Sequence, residues 1–157
     1  MVESMRKSWE RLASLLEQQR LGVLATHHDN AAHASLVTFS STDDLRCLHF
    51  VTPRATRKFH HLVRSPRVAF LVDSRENQVC DLHRAMAATA YGTARSLEEP
   101  ARGPVLARYL EKHPHMKEFA SSAGCALVEI RVERYSLVTR FQDVVDLEMA
   151  AWTSSSP

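Results

Sequence analysis

The stretch Leu48-His-Phe-Val-Thr52-Pro-Arg-Ala-Thr56-Arg57-Lys58-Phe-His-His-Leu62 decides how the rest of the chain is read. An apolar, strand-like run ends at Thr52. Pro53 has no N–H to give a sheet ladder, so the strand stops there. A helix then begins, with Thr56 as its cap and Arg57 and Lys58 in its first turn. Cations at that place oppose the helix dipole, whose N-terminal end is already positive, by a few tenths of a kcal/mol each. Two readings meet the conflict. In one, an anion resolves it, because free N–H groups, a hydroxyl, a guanidinium and an ammonium converge on one phosphate. In the other, the helix end is solvated and tolerates the mismatch.

The chain has 157 residues, 45% hydrophobic and 24% charged. That suits one globular domain over 1–157 rather than a disordered segment. A net charge of +2 gives no argument for a nucleic-acid partner. No apolar run approaches the length of a membrane span, and the charged N-terminus has no signal-peptide core. The expected location is therefore the cytoplasm, away from membranes. Cys47, Cys80 and Cys125 are widely separated, which argues against a disulfide framework and a structural zinc site. The nine histidines include the pairs His27-His28 and His60-His61. Neighbouring histidines on a strand point to opposite faces and chelate poorly.

Working outward, residues 3–20 predict a helix. Met5, Trp9, Leu12 and Leu16 recur at helix spacing, and Gly22 is placed as its stop. Strands are expected at 21–26, 33–40 and 45–52, with Asp29-Asn30 reversing the first pair. Three strands with tight polar connections predict an antiparallel meander. The helix after Thr56 runs to about residue 63, and a fourth strand follows at 67–73. Residues 74–82 read as a polar loop. A long fifth strand covers 85–97, with Gly92 marking a bulge or a close backbone approach. Ser96-Leu-Glu-Glu99 reads as a capping box for a helix to Lys112, which either kinks at Gly103-Pro104 or starts there. A short helix is expected at 113–119. From 125 to 138 the chain alternates, with Ala126, Val128, Ile130 and Val132 on one face and Glu129, Arg131 and Glu133 on the other. Residues 154–157 read as a loose tail. The expected fold is mainly β: six antiparallel strands, flanking helices, and closure into a small barrel over about 21–142 that protects the edges.

Few chemistries fit these residues. The chain has only four glycines and no Gly-rich phosphate loop. There is no Gly-x-Ser-x-Gly elbow to anchor a hydrolase triad. The carboxylate pairs Asp43-Asp44 and Glu98-Glu99 fall at turn or cap positions, where solvation explains them. Thr56, Arg57 and Lys58 remain as the anion site with a physical rationale, and a phosphate-bearing cofactor is the natural ligand.

The order of these pieces resembles the FMN-binding split barrels related to pyridoxamine 5'-phosphate oxidase. Residues 21–26 look like that family's first strand, and 33–39 like its second. Phe50-Val-Thr52 followed by Thr56-Arg57-Lys58 resembles its phosphate motif. Ser65-Pro-Arg-Val-Ala-Phe-Leu-Val72 and Ala90-Tyr-Gly92-Thr-Ala94 are similar to the strands that follow. Tyr109-Leu-Glu-Lys-His-Pro114 and residues 126–135 look like its haem-utilisation branch. The likeness covers roughly residues 10–142. It implies that Arg57 and Lys58 hold an FMN phosphate with help from Thr52 and Thr56. It also implies that Ser35, Leu36, Val37 and Thr38 line the isoalloxazine ring, with Val51 beside Thr52 in the same site. The implied assembly is a homodimer with flavin at the subunit interface, acting on a small-molecule substrate.

The chain departs from the oxidase proper at three places. His33 and Thr38 or Ser40 stand where that enzyme carries cations around its second strand, and Ala87 stands where it has a glutamine. Arg140-Phe-Gln142 replaces the Gly-Phe-Gly run usual in the haem-related branch. Three functions are therefore carried forward. One is an FMN-dependent oxidoreductase whose catalytic residues are not readable. Another is a flavin- or haem-binding protein without catalysis, with His27, His33 and His113 as candidate haem ligands. The last keeps the barrel but holds a deazaflavin.

Overall fold

The computed structural model describes residues 2–140 and 143–152. The expected loose tail at 154–157 lies outside them, as do Phe141 and Gln142. Helix α1 (Val2–Gln18) buries Trp9, Leu12, Leu15 and Leu16, which share one helix face. Trp9 packs on Trp152 with ring centroids 4.4 Å apart. The helix ends well before Gly22, contrary to the expectation that this glycine stops it. Gly22 lies inside strand β1 (Leu21–His28), where a Cβ would run into the Phe70 ring and meet the Leu71 carbonyl at 3.0 Å. Close strand packing, not helix termination, explains that residue.

β1 and β2 (Ala31–Thr38) form an antiparallel hairpin with Leu21 opposite Thr38 and His28 opposite Ala31. Asp29 and Asn30 turn it with φ of 48° and 60°. A two-residue turn of this hand needs positive φ at both positions, which Asp and Asn tolerate better than most residues.

The expected meander breaks at the next step. β2 ends at Thr38, and the chain resumes as the two-residue β3 (Ser40–Ser41). β4 (Cys47–Pro53) pairs with β3 on one side. On its other side β4 pairs with β7 (Cys125–Thr139), setting Thr52 opposite Ala126. The third strand thus turns away from the second and joins one more than seventy residues later. Between them run α2 (Arg57–Arg64), β5 (Arg67–Asp73), α3 (Asp81–Arg84), β6 (Met86–Ser96) and α4 (Arg102–Lys112). A 3-10 turn (Pro114–Met116) and α5 (Lys117–Ala120) follow α4, and β8 (Asp143–Glu148) pairs with the end of β7. The sheet order is β2-β1-β5-β6-β7-β4-β3, so the curled sheet brings β2 and β4 together as an unladdered seam. The protein is a mainly β, antiparallel split barrel with flanking helices, of eight strands among the described residues rather than six.

Two other expectations resolve locally. The bulge falls at Gly92, where the β6–β7 register shifts and an added Cβ would collide with the Arg131 carbonyl. The capping box does not open α4, which starts at Arg102 with Ala101 as a cap that makes no side-chain bond. Glu99 instead accepts a hydrogen bond from the Gly103 N–H at 3.3 Å. Pro104 then sits in the first turn, where a missing N–H is harmless.

Phe39, Phe50, Phe70, Leu24, Leu48, Val128 and Ile130 fill the barrel together with the apolar face of α1. A smaller cluster of Val51, Leu97, Tyr109 and Leu127 lies under α4. No described helix is long and apolar enough to cross a membrane.

Candidate functional site

At the end of β4 the chain reverses into α2 through a short hydroxyl network. Thr56 is extended, with φ of −83° and ψ of 153°, and its Oγ1 accepts the Phe59 N–H at 3.4 Å. The same hydroxyl lies 2.9 Å from the Pro53 carbonyl and 3.0 Å from Thr52 Oγ1. The two threonine hydroxyls therefore meet at the helix start. No acid occupies the first turn of α2. Among the described residues, no carboxylate pairs with Arg57 or Lys58, whereas nearby Arg54 pairs with Glu98 at 3.5 Å.

A cleft of about 260 Å³ opens beside this network, along the seam between β2 and β4. Leu36, Val37, Thr38, Val51, Thr52 and Lys58 line it. Six of the nine residues assigned from the sequence are thus gathered around one opening. Thr56 stands one hydrogen bond behind Thr52, and Arg57 is exposed at the helix start. Ser35 lies further along β2, where its Oγ is buried without a partner among the described residues. Leu21, Pro53, Met116 and Phe119 complete the wall and were not foreseen. Leu21 was within reach of the sequence, because the hairpin register sets it opposite Thr38. Met116 and Phe119 arrive from the segment after α4, whose docking has no local signal.

α4 supports the β2 wall from behind. Tyr109, fully buried, brings its hydroxyl 2.6 Å from Thr38 Oγ1. Burial raises the Tyr109 pKa, and the bond to Thr38 offsets only part of that, so the phenol stays protonated. One turn on, His113 donates from Nε2 to the Phe39 carbonyl at 2.7 Å. Burial holds its pKa below the usual 6.5. His113 was a candidate haem ligand. It is instead fully buried, with Nε2 committed to the backbone, because it docks α4 on the strand.

The other two candidate haem ligands lie elsewhere. His27 is exposed on β1, and His33 faces His61 with ring centroids 5.9 Å apart. His28 is also 5.9 Å from His61, whose Nδ1 sits 3.3 Å from Thr26 Oγ1. Burial first, then the neighbouring His28, His33 and Arg57, hold the His61 pKa below its usual value. Among the described residues no three metal-ligating side chains group closely enough to hold an ion.

A larger cavity, about 440 Å³, lies between α1, β3 and α4. Its lining mixes Glu17, Asp43 and Glu111 with Arg108 and Lys112, so it offers no single ligand charge.

The fold and the seam place the chain in a class, and comparison with known proteins agrees. The family model described as pyridoxamine 5'-phosphate oxidase matches residues 8–139, and the chain belongs to that family. No curated protein matches it in sequence. Among solved structures it is similar to a heme binding protein from Mycobacterium smegmatis, with TM-score 0.81 and 17% identity over 92% of this chain. It spans 59% of that protein's length. It is also similar to HutZ, a heme storage protein from Vibrio cholerae, with TM-score 0.70, 15% identity and 83% and 92% of the two chains covered. A FAD-binding protein from Mesorhizobium loti gives TM-score 0.64 at 16% identity, over 82% of this chain and 91% of the other. Proteins described as FAD-binding and as haem-binding thus both lie among its structural neighbours.

Proposed function

We propose that the chain is an FMN-binding flavoprotein that acts as an oxidoreductase on a small molecule. The seam carries this reading: a hydroxyl pair, a free helix N-terminus and Lys58 meet at one end of a cleft whose other wall is strand β2. Arg57 adds a second unpaired cation at the same helix start. These groups suit a phosphate, since Arg57, Lys58 and the helix N–H groups are donors and no acid stands among them. The orphaned Ser35 hydroxyl and the β2 wall suit the polar rim and flat face of a ring. The bound flavin supplies the electron chemistry, while the protein holds and orients it. Lys58 is the one titratable side chain among the described residues lining the cleft, so the substrate or a partner subunit supplies any further acid or base.

A homodimer belongs to the same proposal. Leu21, Leu36 and Phe119 stand 49%, 64% and 39% exposed around the cleft mouth. Apolar groups gathered at a site call for a cover, and a second copy provides one. The free cysteines suit a reducing, cytoplasmic setting.

Haem binding is the second reading. The haem-binding structural neighbours support it, as does the histidine group of His28, His33, His60 and His61 at the far end of β1. A deazaflavin in the seam is a variant of the first reading. Absorption spectra of the protein, purified and then titrated separately with FMN and haemin, separate these. A flavin spectrum, with FMN identified by mass after denaturation and a dimer by light scattering, is expected. A haem band without flavin binding would replace the first reading by the second.

A further inference from the structure

α4 reaches the cleft wall with two side chains one turn apart. Tyr109 meets the Thr38 hydroxyl at 2.6 Å, and His113 meets the Phe39 carbonyl at 2.7 Å. Thr38 and Phe39 are consecutive, and they mark where β2 leaves its ladder with β1. The Phe39 N–H still reaches the Arg20 carbonyl at 3.1 Å, and its ring is fully buried, 5.2 Å from Phe70. This end of β2 is therefore tied at the backbone, the ring and the neighbouring hydroxyl. Thr38 keeps one open side, which faces the cleft.

The direction of the Thr38–Tyr109 bond follows from burial. Tyr109 is sealed, and Thr38 is the one hydrogen-bond partner of its hydroxyl among the described residues. A buried hydroxyl proton without an acceptor is costly, so the phenol donates to Thr38 Oγ1. The Thr38 proton then has the cleft as its outlet. We infer that Tyr109 is a positioning residue that turns Thr38 into a fixed hydrogen-bond donor toward the rim of the bound isoalloxazine. The inference rests on the flavin reading of the seam. It assigns Tyr109 a role in tuning the ring rather than only in filling the space under α4.

A donor aimed at the ring favours the reduced state, which carries more negative charge and accepts more strongly. Tyr109→Phe keeps the ring and its packing but frees the Thr38 hydroxyl to rotate. The test is FMN titration and potentiometry on the wild-type protein, Tyr109→Phe, Thr38→Val and the double variant, with melting temperatures alongside. Tyr109→Phe is expected to weaken FMN binding by about threefold to tenfold. The same variant should move the midpoint potential to more negative values. Thr38→Val should do the same, and the double variant should add nothing further. Unchanged affinity and potential in Tyr109→Phe, with a lower melting temperature or without, would overturn the inference while leaving the flavin reading intact. Additive effects would also overturn it. A wild-type protein that binds no FMN would overturn the flavin reading and this inference together.

Discussion

Two helices frame the seam, and they treat their polar groups in opposite ways. The start of α2 gathers Thr56, Arg57 and Lys58 with no acid in its first turn. The inner face and C-cap of α4 present Tyr109 and His113, bonded to Thr38 and Phe39 within 2.7 Å. The first set is half-open and mutually repulsive in charge, so it gains most from an external anion. The second is sealed and neutral, so its gain comes from within the fold. Unpaired charge marks the ligand side of the cleft, and neutral groups tied to the backbone and to Thr38 mark its scaffold.

Breaking each helix should therefore give different signatures. Arg57→Ala combined with Lys58→Ala removes two charge-assisted contacts of about 1.5–3 kcal/mol each. FMN binding should fall by several orders of magnitude while the apo-protein melts at an unchanged temperature, as read by isothermal titration and calorimetry. Tyr109→Ala should act mainly on stability, with FMN affinity falling far less than in the double variant. Deleting a fully buried aromatic ring costs about 3–5 kcal/mol, which chemical denaturation of the apo-protein would show. If Tyr109→Ala instead left stability intact, α4 would not be scaffold.

Thr56 belongs to both categories and should give a mixed result. Thr56→Ala loses a helix cap, at about 1 kcal/mol of stability, and also one hydroxyl at the phosphate end. Denaturant midpoints should fall modestly, and FMN affinity should fall less than in the double variant.

A smaller effect comes from the buried histidines. His113 and His49 have folded-state pKa values below the usual 6.5, chiefly through burial. Each is neutral in the fold, so the unfolded chain takes up a proton first as pH drops. Stability should be level above pH 6.5 and decline below it, as their folded pKa values are approached. His113→Gln should flatten part of that decline, as followed by melting temperature against pH.

The contrast between the helices also explains what the sequence disclosed. The α2 side was legible because its signals are local: a proline ending a strand, a threonine cap and two adjacent cations. The β1–β2 turn at Asp29-Asn30, the bulge at Gly92 and the alternation of β7 were legible for the same reason. The α4 side was not. The sequence reads Tyr109 as part of a helix and His113 as the start of the next short one, and nothing local says that they meet residues 38 and 39. The pairing of Thr52 with Ala126 is likewise a long-range choice, which turned an expected meander into a seam. β8, with Asp143, Val144 and Asp146 exposed, has too little of a buried face to announce itself. Gly22 misled because a helix stop and a close strand approach ask for the same residue.

The phosphate clamp at α2 is the central claim, and comparing FMN with riboflavin tests it most directly. The two ligands share the ring and differ by the phosphate. Titrating both into the wild-type protein and into the Arg57→Ala, Lys58→Ala variant isolates what the helix start contributes. The account predicts that the wild-type protein prefers FMN by about a hundredfold or more, and that the variant binds the two alike. Equal affinity for FMN and riboflavin in the wild-type protein would contradict it.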